Sequence, residues 1–444
     1  MSEQPHSSKA PRPRKRFVRI LLIVAGSTLA IPVVAYLLAT AMATSRWRDF
    51  TSRHSARLAR VESWPVDRVS LAGEPIAGNA WDGYVTATKR LASMSGDEQD
   101  ALKAAYYEVW QPGVKVTPEM RAQLAGARAD VDPELRRMRS SATCRSAAPP
   151  LRWFRNYRHG EPEALVAGAT NAIRFLTLSA RACIASGDFD AAVGETACAL
   201  QIACDVARFP CMTWNWQPLI EALYGLDALV LDARATPEQL VRLERILAAG
   251  EAQLLSYREI QDMEIAALTA SYRPEPLNGS DGEFGQLWLY GFSSRLAMAS
   301  WSRRIEESFP KPEEVEQLDY ATAAERYQVI EDRWLVSQGR LVFQTLCHMR
   351  YVNFGFREVR ARFRMPRAVL ILRRGGSPSD PDWPADSFAT GPLRVRSETG
   401  FRVVWSRYRY GKDGTQGTWV WSGRHKPPEL DMWMRVPEDL LPDK

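Results

Sequence analysis

Between Ile20 and Ala43 lie 24 residues without a charge, ILLIVAGSTLAIPVVAYLLATAMA, and this run constrains the chain more than any other. A helix of that length crosses a hydrocarbon core about 30 Å thick. Pro32 predicts a kink within it and is compatible with a membrane span. A cleavable secretory signal has a shorter apolar region, of about 7–15 residues, so the reading is a signal anchor over residues 17–43, although Ala41-Met42-Ala43 has the small-x-small form of a cleavage site. The lipid bilayer is then the first partner.

Charge follows the same division. Residues 1–60 hold eleven Lys and Arg against Glu3 and Asp49, a net +9. The whole chain carries +6, so the other 384 residues carry −3. A nucleic-acid-binding domain would show its basic excess on the folded body, and this body has none, so nucleic acid is excluded as an expected partner. A short basic head (1–16) stays in the cytoplasm while a long domain is translocated. This predicts a bacterial inner-membrane protein of single pass with its C-terminal domains in the periplasm. Arg far outnumbers Lys, which the sequence alone attributes to a GC-rich bacterial genome.

Residues 44–78 read as a linker with Pro65 and Pro75, and 79–361 as an almost wholly helical domain. Thr117-Pro118-Glu119, Asp132-Pro133-Glu134 and Thr236-Pro237-Glu238-Gln239 each place a capping side chain before a Pro at the first helical position. Gln239 completes a capping box with Thr236, and that helix is expected to run past Tyr257. Ala164–Ala207 predicts two alanine-rich apolar helices joined at Ser186-Gly187-Asp188, each needing the other to bury its stripe. After Pro366 the pattern shortens to β-type runs: Val369–Leu372, Leu393–Arg396, Phe401–Tyr410, Thr418–Trp421 and Met432–Val436. These predict a small β-rich domain over 366–444 whose sheet has one solvated face.

Few groups point to chemistry. The six cysteines show no zinc or C-x-x-C spacing, and Cys198 and Cys204, six apart on one helix, point in different directions. Cys347-His348 are neighbours about 100° apart on a helix and cannot act as nucleophile and base together. Arg357, Arg360, Arg362, Arg364 and Arg367 read as a solvated helix end, with a phosphate or an anionic membrane surface as the alternative ligand. With no nucleophile elbow, phosphate loop or zinc helix in the sequence, no catalytic residue is assigned and an enzyme is the weaker reading.

The Ser186-Gly187-Asp188-Phe189-Asp190-Ala191-Ala192 hairpin resembles a tetratricopeptide unit, without strict 34-residue repetition. More broadly, Asn79-Ala80-x-x-x-Tyr84, Arg181, Gly187-Asp188, Thr236-Pro237-Glu238-Gln239-Leu240, Pro392-Leu393-Arg394-Val395-Arg396, Gly400-Phe401 and Tyr410-Gly411-Lys412-Asp413-Gly414 occur in the order seen in a group of membrane-anchored bacterial proteins of planctomycete type. That resemblance implies an architecture and brings no established activity. The tail is similar to the β domain of type II secretion pseudopilins, whose corresponding turn binds calcium; this implies Asp413 and Asp431 as its ligands here, and no other cofactor. Thr415-Gln416-Gly417 replaces the acidic stretch such a site uses, and calcium wants six to eight oxygens. The prepilin processing signal is also missing.

The sequence therefore predicts a mainly α chain: a transmembrane helix, an irregular tetratricopeptide-like helical domain and a small pilin-like β domain. The expected role is a non-enzymatic scaffold for a protein or peptide partner, with Trp214, Trp216, Trp288 and Trp301 as candidate contact residues. The alternatives are an envelope hydrolase with an unrecognised site, or an accessory component of a secretion or pilus-like machine.

Overall fold

A computed structural model describes residues 13–62, 67–108, 114–149, 160–208, 216–262, 311–338, 340–406 and 432–442. Two compact units divide between Ala56 and Arg57. The described part of the first is helical throughout; every other described residue belongs to the second.

Helix α1 spans Pro13–Glu62, 50 residues. It contains the one candidate membrane span among the described residues, Phe17–Ala35, whose apolar side chains, such as Ile20, Leu22 and Ile31, are exposed. The helix continues through Pro32 and on through residues 44–62, which the composition had marked as linker.

In the second unit the order is β1 (Ile76–Asn79), α2 (Ala80–Ala92), α3 (Gly96–Tyr107), α4 (Pro118–Ala142) and β2 (Cys144–Ser146), then α5 (Gly160–Ser186), α6 (Phe189–Ala207), α7 (Trp216–Tyr224), α8 (Asp227–Val230) and α9 (Pro237–Ala252). After these come α10 (Pro312–Gln317), α11 (Tyr320–Gln338) and α12 (Arg340–Arg373), followed by β3 (Arg394–Glu398), β4 (Phe401–Ser406) and β5 (Met432–Pro437). Strands β1 and β2 pair in parallel, and β3–β4–β5 form an antiparallel sheet.

The α5–α6 hairpin forms as its composition requires. Gly187 takes φ +82°, the Asp188 amide donates to Cys183 C=O (2.8 Å) and the Gly187 amide to Ile184 C=O (3.1 Å), a Schellman closure that satisfies two end carbonyls. The Asp188 carboxylate then accepts from the Ala191 amide (3.0 Å) and caps α6. The next helices do not restate the pair: α7 has 9 residues, α8 four and α9 16. Thr117 and Thr236 cap α4 and α9, the latter with its full capping box.

Three expectations fail for identifiable reasons. Pro133 lies inside α4 and starts no new helix; Asp132 faces solvent and pairs with Arg128 and Arg136 one turn to either side. Helix α9 ends at Ala252, short of Tyr257. Val369–Leu372 is helical, and the expected boundary between 361 and 366 lies inside α12. Pro366 costs that helix one backbone donor, but Phe363, Met365, Ala368, Val369 and Leu370 are fully buried, and their burial outweighs the local break.

One hydrophobic core runs through the second unit and includes residues of α2, α5, α6, α9 and α12 together with Trp383, Phe388, Leu393, Val404, Met434 and Val436. The sheet thus shares the helical core. Its inner face carries Val404 and the buried Ser406, whose hydroxyl donates to Asp386. Its outer face is the polar, partly solvated one, carrying Arg394, Arg396, Glu398 and Arg435; on it Val403 is buried beside Trp405, over which Arg394, its cross-strand partner, lies at 5.1 Å.

Candidate functional site

The arginines decide how this body is assembled. The last four carbonyls of a helix have no partner of their own. Here Arg68 donates to the carbonyls of Ser141 (2.9 Å) and Ala142 (3.0 Å) at the end of α4, and Arg181 to Tyr106 (2.9 Å) at the end of α3. Arg234 reaches Ile184 (3.0 Å) in α5, and Arg208 reaches Gln253 (3.2 Å) after α9. Arg357 bonds Val315 (2.7 Å) and Leu318 (2.8 Å) at α10, and Arg373 bonds Val230 (2.7 Å) and Asp232 (2.9 Å) at α8. A guanidinium forks across adjacent carbonyls where an ammonium offers a point charge, and it suits the negative end of the helix dipole. The preference for Arg over Lys at these positions is therefore structural.

Three charged centres lie among the described residues of the second unit. In the first, the side chains of Arg68 and Asp205 are wholly buried and paired. The Asp205 carboxylate also accepts from the Tyr84 hydroxyl (2.8 Å) and the Gln201 amide (3.1 Å). Gln201 receives the Leu71 amide (2.9 Å), and Gln253 donates to Val69 C=O (2.9 Å). Burial pushes the Asp205 carboxyl above its usual range, with Arg68 and Tyr84 pulling the other way. The network ties residues 68–71 onto α4, α6 and the end of α9.

The second centre joins α3, α5, α7 and α12. Glu221 accepts from Arg174 (2.7 Å), Gln217 (2.6 Å) and the Tyr107 hydroxyl (2.6 Å). Arg174 also lies 5.9 Å and 5.7 Å from the ring centres of Tyr106 and Tyr107. Nearby, Asp227 is buried within the fields of Arg362 and Arg181, its Oδ1 without a hydrogen bond, and desolvation holds its carboxyl well above the usual range. Arg362 pairs with Glu358 one turn earlier and lies 4.8 Å over the ring of Tyr224.

The third centre is the arginine run of α12, and the expectation of a solvated helix end does not hold. Spacing divides the run between faces. Arg357 and Arg362 are buried, whereas Arg360, Arg364 and Arg367, at three- and four-residue intervals, converge on Glu251 at 3.9, 2.6 and 3.0 Å. Glu251 stands in the last turn of α9, where the dipole disfavours a carboxylate; the guanidiniums reverse that.

Of the residues singled out in the sequence, Trp216 is half-buried and packs on α12: a Cβ added at Gly355 would lie 2.9 Å from its indole. Trp214, Trp288, Trp301, Asp413 and Asp431 lie outside the described residues, as do the side chains of Cys347 and His348. Cys198 and Cys204 are buried free thiols, pushed up to about 12 by desolvation. Among the described residues no three His, Cys, Asp or Glu side chains group as metal ligands. The residues that sequence reading missed, Asp205, Glu221, Asp227 and Glu251, did leave a signal. The first three are single acids in apolar helical runs, such as Pro218-Leu219-Ile220-Glu221-Ala222-Leu223, where only a buried partner explains them.

Compared with protein-family models, curated proteins and solved structures, the chain matches none.

Proposed function

We propose that this protein is a membrane-anchored scaffold: α1 holds it in a bacterial inner membrane, and its helical body stands on the periplasmic side to engage a protein or peptide partner. The observation that carries the anchor is the apolar, exposed helical segment Phe17–Ala35, charge-free from Ile20 onward and preceded by a basic head. A helix that exposes every turn of apolar surface is not stable in water and needs lipid around it. The scaffold reading draws support from the body. Arg181, Arg357 and Arg373 hold helix ends, and the segment beyond α1 is fastened by Arg68. Such a body is suited to present a fixed surface.

Crosslinking in native membranes, with identification of the captured chains, tests the partner. A reproducible partner lost on removal of residues 67–442 supports the scaffold; recovery of none, under conditions that capture known envelope complexes, rejects it. Orientation is tested with reporters fused after Lys444. Activity of a periplasm-only reporter is expected, and activity of a cytoplasm-only reporter rejects the placement.

A further inference from the structure

Arg360 differs from Arg357, Arg362, Arg364 and Arg367, the other arginines of its run on α12, each of which donates a hydrogen bond. Among the described residues its guanidinium donates to no acceptor: Glu251 stands 3.9 Å away, outside hydrogen-bond reach, and its Nε is buried without a partner. It lies 4.6 Å over the ring of Phe356, and the side chain is 24% exposed. Arg364 and Arg367, each 19% exposed, flank it one turn and two turns along α12. Glu251 is already engaged by both flanking arginines. Glu316, the other carboxylate acting on Arg360, accepts the Tyr257 amide at 2.9 Å. Three cations thus meet two committed carboxylates, with the terminal N–H donors of one planar guanidinium left over.

We propose that this face of α12 is an oxyanion site, with Arg360 as the recognising group and Arg364 and Arg367 supplying the field. A tetrahedral phosphate matches the fork bidentately, and the added charge relieves the repulsion between Arg360 and Arg364. The ligand class is a phosphate group, either of a soluble compound or of a lipid headgroup. This is independent of whether the body binds a protein.

The test is calorimetric titration of the full chain in a zwitterionic detergent with inorganic phosphate, at constant ionic strength. Saturable binding of one phosphate is expected, with no comparable heat from chloride. Because Arg364 and Arg367 still hold Glu251, Arg360→Gln should fold with a small loss of unfolding temperature and bind phosphate at least tenfold more weakly. Arg258→Gln, on an exposed pair with Glu313, should bind as wild type does. Titration in phosphatidylcholine nanodiscs, with and without phosphatidylglycerol, then separates the two sources. Competition by phosphatidylglycerol identifies the headgroup, and undiminished binding identifies a soluble phosphate. Absence of saturation, or equal affinity of wild type and Arg360→Gln, overturns the site.

Discussion

At the scale of single residues, stability turns on whether each buried charge keeps its partner. Asp205→Ala would leave the Arg68 guanidinium buried and uncompensated, and breaking one side of a buried pair costs about 3–5 kcal/mol. A loss of that size is expected in denaturant unfolding, with a smaller one for Asp205→Asn; equality with wild type would show that the pair is not closed in solution. Asp227 behaves in the opposite sense. Burial raises its carboxyl, so the native state binds that proton more tightly than the unfolded chain does. Its contribution is fully present below the unfolded pKa of about 4 and is lost as pH rises toward the folded value. Asp227→Asn removes the charged form, so at pH 8 the variant should be more stable than wild type. The gain should shrink toward zero near pH 4. A difference independent of pH would mean that Asp227 is not the titrating group.

At the scale of elements, close helix contacts are set by glycines as much as by large side chains. Helix α5 meets α2 where a Cβ on Gly168 would fall 2.3 Å from the Thr88 carbonyl, which is backbone and cannot swing aside. Gly168→Ala must therefore push the helices apart, and overpacking of this kind costs about 1–3 kcal/mol. Gly194, on α6, has nothing within 4 Å of a Cβ, so Gly194→Ala should be neutral or stabilising through better helix propensity. Thermal melts of the pair decide this, and equal losses would place the α2–α5 contact elsewhere. Element starts were legible because capping is local: Thr117, Thr236 and Asp188 each act within four residues of themselves. Pro133 and Pro366 were misread for the same reason, since the burial that carries α4 and α12 through them comes from distant chain segments.

At the scale of the molecule, the proposed anchor gives the exposed apolar helix a different solvent from the body. Carbonate washing should leave the full chain with the membrane, whereas a chain lacking residues 1–43 should be recovered in the soluble fraction. Retention of the shortened chain in the pellet would show that the body carries its own membrane contact, the outcome a headgroup at Arg360 would favour. The body's cohesion comes from a core shared by helices and sheet, stitched at helix ends by arginines from other elements. Arg68 illustrates the span of this stitching: it acts on residues 73 to 137 positions away.

Periodicity and local capping determined by themselves the apolar N-terminal helix, the α5–α6 hairpin with its Gly187 turn, and the existence of β-type runs at 393–396, from Phe401 and at 432–436. Each depends on residues close in sequence, or on the contrast between apolar and polar surface. Only the tertiary structure decided that the sheet shares the helical core, that the arginine run of α12 turns inward, and that Asp205, Glu221, Asp227 and Glu251 form its charged centres. The reason is physical. Whether a charge is solvated, paired or left open depends on which segments desolvate it, and those segments lie up to more than a hundred residues away along the chain.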